Sequence, residues 1–353
     1  VPIKYIGSKR VLLPGILKAI ATLQPRGTVL DLFAGTSRVG HGLKRLGYRV
    51  LANDHLHYAE AVARCYVAAD RGDWQTQAQQ LVDECNRLPG APGWFTETYC
   101  ERSRFFQPHN GARIDAIRET LAAKALPPEL HAVMLVSLME AADRVDSTCG
   151  LQMAYLKSWA PRSHDALQLR VPDLLPRAGA GKGEAHRLEA HEAAALLPAD
   201  VAYIDPPYNQ HSYLGNYHVW ESLVLWDKPD VYGVAAKRVD CKTRKSPFNS
   251  KPRCCEAFRR VIHNVQARSL VVSFNNEGYL HQDVLEPLLQ ERGHVHVVER
   301  EHTRYVGARI GIHDHKGRRV GEVSHVRNKE LLYLVTPEPL SPDSLQALES
   351  PSP

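Results

Sequence analysis

Asp205-Pro206-Pro207-Tyr208 follows directly on Val201-Ala202-Tyr203-Ile204. The first four residues of this octapeptide are small, β-branched or aromatic, and read as a buried parallel strand. Pro206 and Pro207 have no N–H for a ladder, so the strand stops there. A carboxylate, a backbone carbonyl and an aromatic ring then leave the sheet edge on a stiff backbone. In open α/β sheets, ligands sit at the carboxyl ends of the strands. The corner reads as a rigid holder for a flat ring that bears an amine.

Three other stretches suit a nucleoside-like ligand. Asp31-Leu32-Phe33-Ala34-Gly35 lies at the end of a strand expected over 28–33, ahead of a helix. Gly35 lets the chain turn and come close to a ligand, and the helix N-terminus faces that ligand. The pattern is neither the dinucleotide GxGxxG nor a phosphate loop. Asp54 ends a second strand over 48–53, about 20 residues further on, where a carboxylate can accept both ribose hydroxyls. The same acid could instead cap a helix over 56–66. At the N-terminus, Lys4-Tyr5-Ile6-Gly7-Ser8-Lys9-Arg10 is a polar, basic arm in which Gly7 permits close backbone approach. His55 and His57 have no further ligands at metal spacing, so no metal is expected.

The tetrapeptide resembles the signature of amino-group DNA methyltransferases. The order of arm, glycine loop, acid and tetrapeptide is similar to that of the Dam-like, α-group DNA adenine methyltransferases. The resemblance covers residues 1–69 and 186–336. It implies a Rossmann-like, seven-stranded α/β sheet that uses S-adenosyl-L-methionine. Tyr5, Gly7 and Lys9 of the arm, Asp31, Phe33 and Gly35 of the loop, Asp54 and Asp205 would then surround the donor. Asp205, Pro206, Pro207 and Tyr208 would hold the target base. The family often has a second glycine where Ser37 stands, and serine tolerates that turn less readily. The mostly helical span 70–185 would be the target-recognition insertion. Double-stranded DNA is the implied substrate, and a cognate restriction endonuclease is a further conceivable partner.

The chemistry implied is a direct methyl transfer to adenine N6. Asp205 and the Pro206 carbonyl each accept one N–H of an otherwise poor nucleophile, and Tyr208 stacks on the base. The base must first leave the duplex. Methylation of cytosine C5 would need a cysteine nucleophile, usually after a proline, and the chain has no Pro-Cys. N4-cytosine methylation obeys the same amine logic and is the alternative reading. An RNA methyltransferase fits less well, because RNA-acting relatives more often carry Asn at the place of Asp205. A non-enzymatic DNA-binding module would not need the donor loop.

Composition sets the bounds. The chain has 353 residues, 44% of them hydrophobic, with a formal charge of +5 and a pI near 8.8. That suffices for a large core and suits a polyanionic partner. The basic excess concentrates in 237–253, where Lys237, Arg238, Lys242, Arg244, Lys245, Lys251 and Arg253 face only Asp240. These are the expected phosphate contacts, with Pro247 and Pro252 denying the stretch a long helix. Seven cysteines without a Cys-x-x-Cys pair read as reduced thiols, and no apolar run reaches about 18 residues. A cytoplasmic, nucleoid-associated bacterial protein is expected, with no membrane partner.

The periodicity places helices over 11–23, 70–88, 114–121, 129–145 and 216–226, with a loop over 90–111. Later strands fall over 186–190, 269–274, 295–300 and 331–335. Residues 309–326 read as a hairpin turning at Lys316-Gly317, and the Pro/Ser-rich tail 337–353 as disordered.

Overall fold

Short apolar strands alternating with helices build a parallel sheet, because each helical crossover returns the chain in the same direction. The computed structural model describes residues 3–7, 9–275, 278–303, 312–313, 319–321 and 327–350. Its main sheet has seven strands: β1 Thr28–Asp31, β2 Arg49–Asn53, β3 Glu184–His186, β4 Ala199–Ile204, β5 Ala267–Asn275, β6 His294–Thr303 and β7 Arg327–Thr336. Their order is β3-β2-β1-β4-β5-β7-β6. β1 to β5 pair in parallel, and β7 runs antiparallel to both β5 and β6. The chain reverses its direction of travel across the sheet between β1 and β4. A crevice opens at such a switch point.

Both faces of the sheet are covered, as the alternation along β4 requires. Val201 and Tyr203 pack with helices Leu13–Leu23 and Arg38–Arg45. Ala202 and Ile204 pack on the other face with Ala190–Leu196, Lys251–Asn264 and Gln282–Gln290. Each fully buried aliphatic side chain contributes roughly 1.5–3 kcal/mol.

Several expectations are corrected. The third strand is Glu184–His186 rather than 186–190, because Glu189 starts the next helix through a reciprocal capping box with Glu192. The loop expected over 90–111 holds the helical turns Trp94–Thr96 and Glu97–Glu101, and helix Pro108–Ala123 begins inside it. Asp115 organises that region by accepting the N–H groups of Gly93, Phe95 and Thr96. The tail is not wholly disordered: Pro342–Glu349 is a helix capped by Ser341, and Leu348, 2% exposed, packs into the core beside Ile16 and Ile20. Its leucines are spaced by three, a pattern that its Pro/Ser content obscures. The second half of the basic stretch also differs. Lys251 and Arg253 lie in the first turn of helix Lys251–Asn264, where Pro252 costs nothing because its N–H would be unpaired anyway. Ile312–His313 pairs antiparallel with Arg319–Gly321, whereas the expected turn at Lys316-Gly317 lies outside the described residues.

The span 70–185, expected as an insertion, is not walled off from the helices that flank the sheet. Helices Arg71–Arg87, Pro108–Ala123 and Pro128–Arg144 share one core with His57–Ala63, which follows β2, and His218–Leu225, which follows β4. The insertion therefore rests on the two helices that leave the carboxyl ends of the site strands.

Candidate active site

The ends of β1 and β4 are fastened together, with Leu32 N–H donating to the Tyr203 carbonyl at 3.1 Å. The glycine loop and the tetrapeptide consequently emerge side by side. Asn53 ties in the neighbouring strand ends: its amide donates to the Leu32 and Leu188 carbonyls, and its oxygen accepts the Leu188 N–H. Sequence reading treated Asn53 only as a strand end, since nothing local marks a buried cross-strand amide.

Gly35 turns the loop with φ +51°. Its N–H donates to Asp54 Oδ2 at 3.0 Å, while Asp54 Oδ1 accepts the Leu56 N–H at 3.0 Å. Each carboxylate oxygen retains a further lone pair, and Asp54 lines the cleft. Turn-holding and ligand-binding are thus compatible roles for this acid. Ser37 adopts the left-handed conformation, φ +53°, where the family often has glycine. It accepts that backbone at a cost of about 1–3 kcal/mol, and its buried Oγ has no hydrogen-bond partner among the described residues. Asp31, 1% exposed, accepts the Gly40 N–H at 3.1 Å and so pins the following helix. Burial, reinforced by the Asp205 charge, pushes its carboxyl up to about 7.

The N-terminal arm is clamped by tyrosines that sequence reading missed. Tyr5 stacks on both Tyr213 and Tyr217, with ring centroids 5.2 and 4.5 Å away, and those two rings stack on each other at 6.4 Å. Tyr217 also accepts the Ile6 N–H at 2.6 Å, and Tyr5 shares a hydroxyl bond with Tyr58 at 3.0 Å. The spacing of Tyr213 and Tyr217 by four, just after the tetrapeptide, was the available signal. Gly7 has φ +72°, and a Cβ there would come within 2.8 Å of the Tyr213 hydroxyl. The arm's Lys4 is held by the insertion through Asp146, at 2.7 Å.

Lys9 closes the arm onto the tetrapeptide. Its ammonium lies 3.0 Å from Asp205 Oδ1 and also contacts Glu330. Burial alone would make Lys9 less basic, but Asp205 and Glu330 outweigh it and hold the ammonium charged. Burial pushes Asp205 up to about 6; Lys9 opposes the rise and Glu330 adds to it. The carboxylate is therefore ionised at neutral pH and becomes protonated as the pH falls through about 6.

Tyr5, Gly7, Lys9, Asp31, Phe33, Gly35, Asp54 and Asp205, which the sequence placed around a donor, all line one cleft that is partly open to solvent. Pro207 and Tyr213 line it too. Tyr208 stands beside it, half-buried, with its carbonyl accepting the Tyr279 N–H at 2.9 Å. A smaller recess next to Asp54 and Phe33 is lined by Leu188, Glu189 and Phe248, residues to which sequence reading gave no role. The set fits S-adenosylmethionine: a carboxylate for ribose hydroxyls, aromatic walls for a base, and a glycine turn that lets backbone approach. Among the described residues no cluster of His, Cys, Asp or Glu could hold a metal.

The basic stretch divides. Arg238 is 3% exposed, bidentate to Asp227 at 2.7 Å on both nitrogens and bonded to Asp240. Its assignment as a phosphate contact is corrected: the charge is neutralised inside the protein. Arg244 is likewise held, by Glu221 at 2.9 Å and Asp240 at 3.2 Å. Lys237 is half-buried, and Lys242 is exposed with its ammonium 4.3 Å from the Tyr232 ring centroid. Lys245, Lys251 and Arg253 are exposed and in no ion pair among the described residues.

A doubly covered, mostly parallel sheet with one antiparallel strand, and a cleft at its switch point lined by a glycine turn and the acid that ends the next strand, is the architecture of an α/β methyltransferase. Residues 5–276 match the family model described as D12 class N6 adenine-specific DNA methyltransferase, and the chain belongs to that family. It is 27% identical over 339 residues to the type II methyltransferase M.NlaIII of Neisseria lactamica, covering 92% of this chain and 99% of that one. With M.CviAII of Paramecium bursaria Chlorella virus 1 it is 30% identical over 310 residues, 86% of this chain and 92% of the relative. M.FokI of Planomicrobium okeanokoites is 30% identical over 309 residues, 82% of this chain, and the chain spans 47% of that larger protein. It similarly spans 46% of the modification methylase StsI of Streptococcus sanguinis.

Proposed function

We propose that the protein methylates the N6 amine of adenine at a specific sequence in duplex DNA, as the modification partner of a restriction endonuclease. The observation that carries this reading is that Asp205, Pro207 and the arm's Lys9 open into the same cleft as Gly35 and Asp54. When bound, S-adenosylmethionine supplies a methyl group on a good sulfonium leaving group. The chain's residues do the rest. Asp205 and the Pro206 carbonyl accept hydrogen bonds from the two amine N–H groups and aim the nitrogen lone pair, Tyr208 covers the extruded base, and the one proton that the nitrogen sheds as it gains the methyl group passes to solvent. This is catalysis by positioning and by preorganised acceptors. The test is modification-detecting sequencing of genomic DNA from cells that express the protein. N6-methyladenine at one recurrent motif is expected; N4-methylcytosine would overturn the assigned base, and unmodified DNA the activity.

Asp54→Ala is expected to weaken donor binding by about 1.5–3 kcal/mol, the range for hydrogen bonds to a charged group. Calorimetry that finds unchanged affinity would leave Asp54 with its turn-holding role alone. Tyr208→Phe should keep most of the activity and Tyr208→Ala should lose about 1–3 kcal/mol of base stacking. Equal damage by both would assign the function to the hydroxyl. The exposed cations should supply affinity without sequence preference. Neutralising Lys245 and Arg253 together should reduce the slope of log K against log salt by up to about 1.8, at about 0.9 per phosphate contact. A preserved slope with altered site preference would mean that these side chains read bases.

A further inference from the structure

Glu330 sits on β7, outside the stretch 5–276 that matches the family. It is buried, and a buried carboxylate persists only where charge and hydrogen bonds compensate it. Its Oε1 accepts the Ser273 Oγ–H at 2.7 Å and contacts the Lys9 ammonium. The same ammonium lies 3.0 Å from Asp205 Oδ1. Lys9 thus bridges two carboxylates, one of them in the reacting corner. The β5–β7 ladder sets Glu330 opposite Asn275 and Leu332 opposite Ser273. Glu330 and the Ser273 that holds it therefore both stand on the rigid sheet, and Asp205 follows directly on the end of β4.

We infer that Glu330 is a positioning residue for methyl transfer: it seats Lys9 on one oxygen of Asp205, so that the other oxygen is left to receive the target amine. The inference rests on the role given to Asp205 above. An ammonium with one carboxylate partner can swing across both oxygens of Asp205 and compete with the amine. A second carboxylate, itself held by Ser273, keeps it to one side. The groups whose charge Asp205 senses or affects are Lys9 of the arm, Asp31 of β1, Tyr203 of β4, Tyr208 and Tyr213 after the strand, and Glu330. Of these, Lys9 contacts both carboxylates. Without the Glu330 charge, Asp205 loses a repulsion and takes Lys9 for itself; both changes make Asp205 easier to ionise.

The experiment compares wild type, Glu330→Gln, Glu330→Asp and Asp205→Ala in single-turnover methyl transfer as a function of pH, with duplex affinity followed by calorimetry. Glu330→Gln is expected to move the acid limb of the rate profile down by about 1 pH unit. Its plateau should fall at least ~10-fold through misplacement of Lys9, with duplex affinity unchanged. Glu330→Asp keeps the charge but shortens the reach, so its limb should stay in place while its plateau falls. A wild-type plateau in Glu330→Asp overturns the inference, and this variant carries the test if Glu330→Gln does not fold. An inactive Asp205→Ala together with wild-type limb and plateau in Glu330→Gln overturns the inference alone. A fully active Asp205→Ala overturns the reading of Asp205 beneath it.

Discussion

Asp205→Ala is expected to fold, to melt close to wild type, and to transfer methyl groups at least ~10²-fold more slowly, the scale for losing one preorganised hydrogen-bonding group. The preserved fold follows from the electrostatics. Burial raises the Asp205 carboxyl to about 6, so its charge costs stability at neutral pH and removing it releases that cost. Lys9 loses one partner but retains Glu330, so no bare ammonium is left inside. The slow step follows from position: Asp205 stands at the end of β4 with Pro206 and Pro207 fixing the backbone, and no neighbouring carboxylate replaces it at the corner. Asp31 lines the same cleft but is engaged by the Gly40 N–H at the start of the following helix. The measurement pairs single-turnover transfer to a cognate duplex with a thermal melt. Near-normal transfer would remove Asp205 from the chemistry, and a collapsed melting temperature would mean that the carboxylate supports the fold.

The second large effect concerns Glu221, which is fully buried. It accepts the Tyr58 N–H at 3.1 Å, lies 2.8 Å from His57 Nδ1 and pairs with Arg244 at 2.9 Å. Burial alone would raise its carboxyl, but His57, the Tyr58 N–H and Arg244 outweigh burial and bring it down to about 2. A folded-state value below the ordinary 4.5 stabilises the protein above that pH and loses its contribution as pH falls toward 2. By pH 3 about 2 kcal/mol of this contribution is gone. Glu221→Ala at neutral pH should cost about 3–5 kcal/mol, the scale for breaking a buried pair by removing one partner. Chemical unfolding of wild type and Glu221→Gln, at neutral pH and at pH 3, should show the gap between them shrinking in acid. A gap independent of pH would mean that Glu221 acts through packing and not through charge. The variant should also loosen the donor site, because His57 and Tyr58 begin the helix that follows Asp54.

Much of the site was legible because its chemistry is local. Two prolines after an apolar run stop a strand wherever it is placed, so Asp205 and Tyr208 were bound to leave a sheet edge. Gly35 marks a turn by its own residue type and Asp54 ends its own strand, although it is Asp54 that holds the Gly35 turn in the fold. The sheet was readable for the same reason: the two-residue alternation along β4 and β5 records two covered faces.

What only the tertiary structure decided is which distant groups meet and which charges are hidden. Lys9 meets Asp205 because strand order reverses between β1 and β4, and the tyrosine stack carries the arm across that gap. Glu330 joins them from the antiparallel strand β7, whose register cannot be read from its own residues. Arg238 and Arg244 looked like free cations in sequence, yet Asp227, Asp240 and Glu221 neutralise them. A charge in a sequence carries no record of its burial, and burial decides whether it meets a phosphate or a carboxylate. Ser37 shows the converse: its residue type disfavours a left-handed turn, and the packing of the loop between β1, β2 and the following helix imposes one. The identities of the cleft residues were thus set locally, while their partners, exposure and protonation were set by long-range contacts that no local pattern encodes.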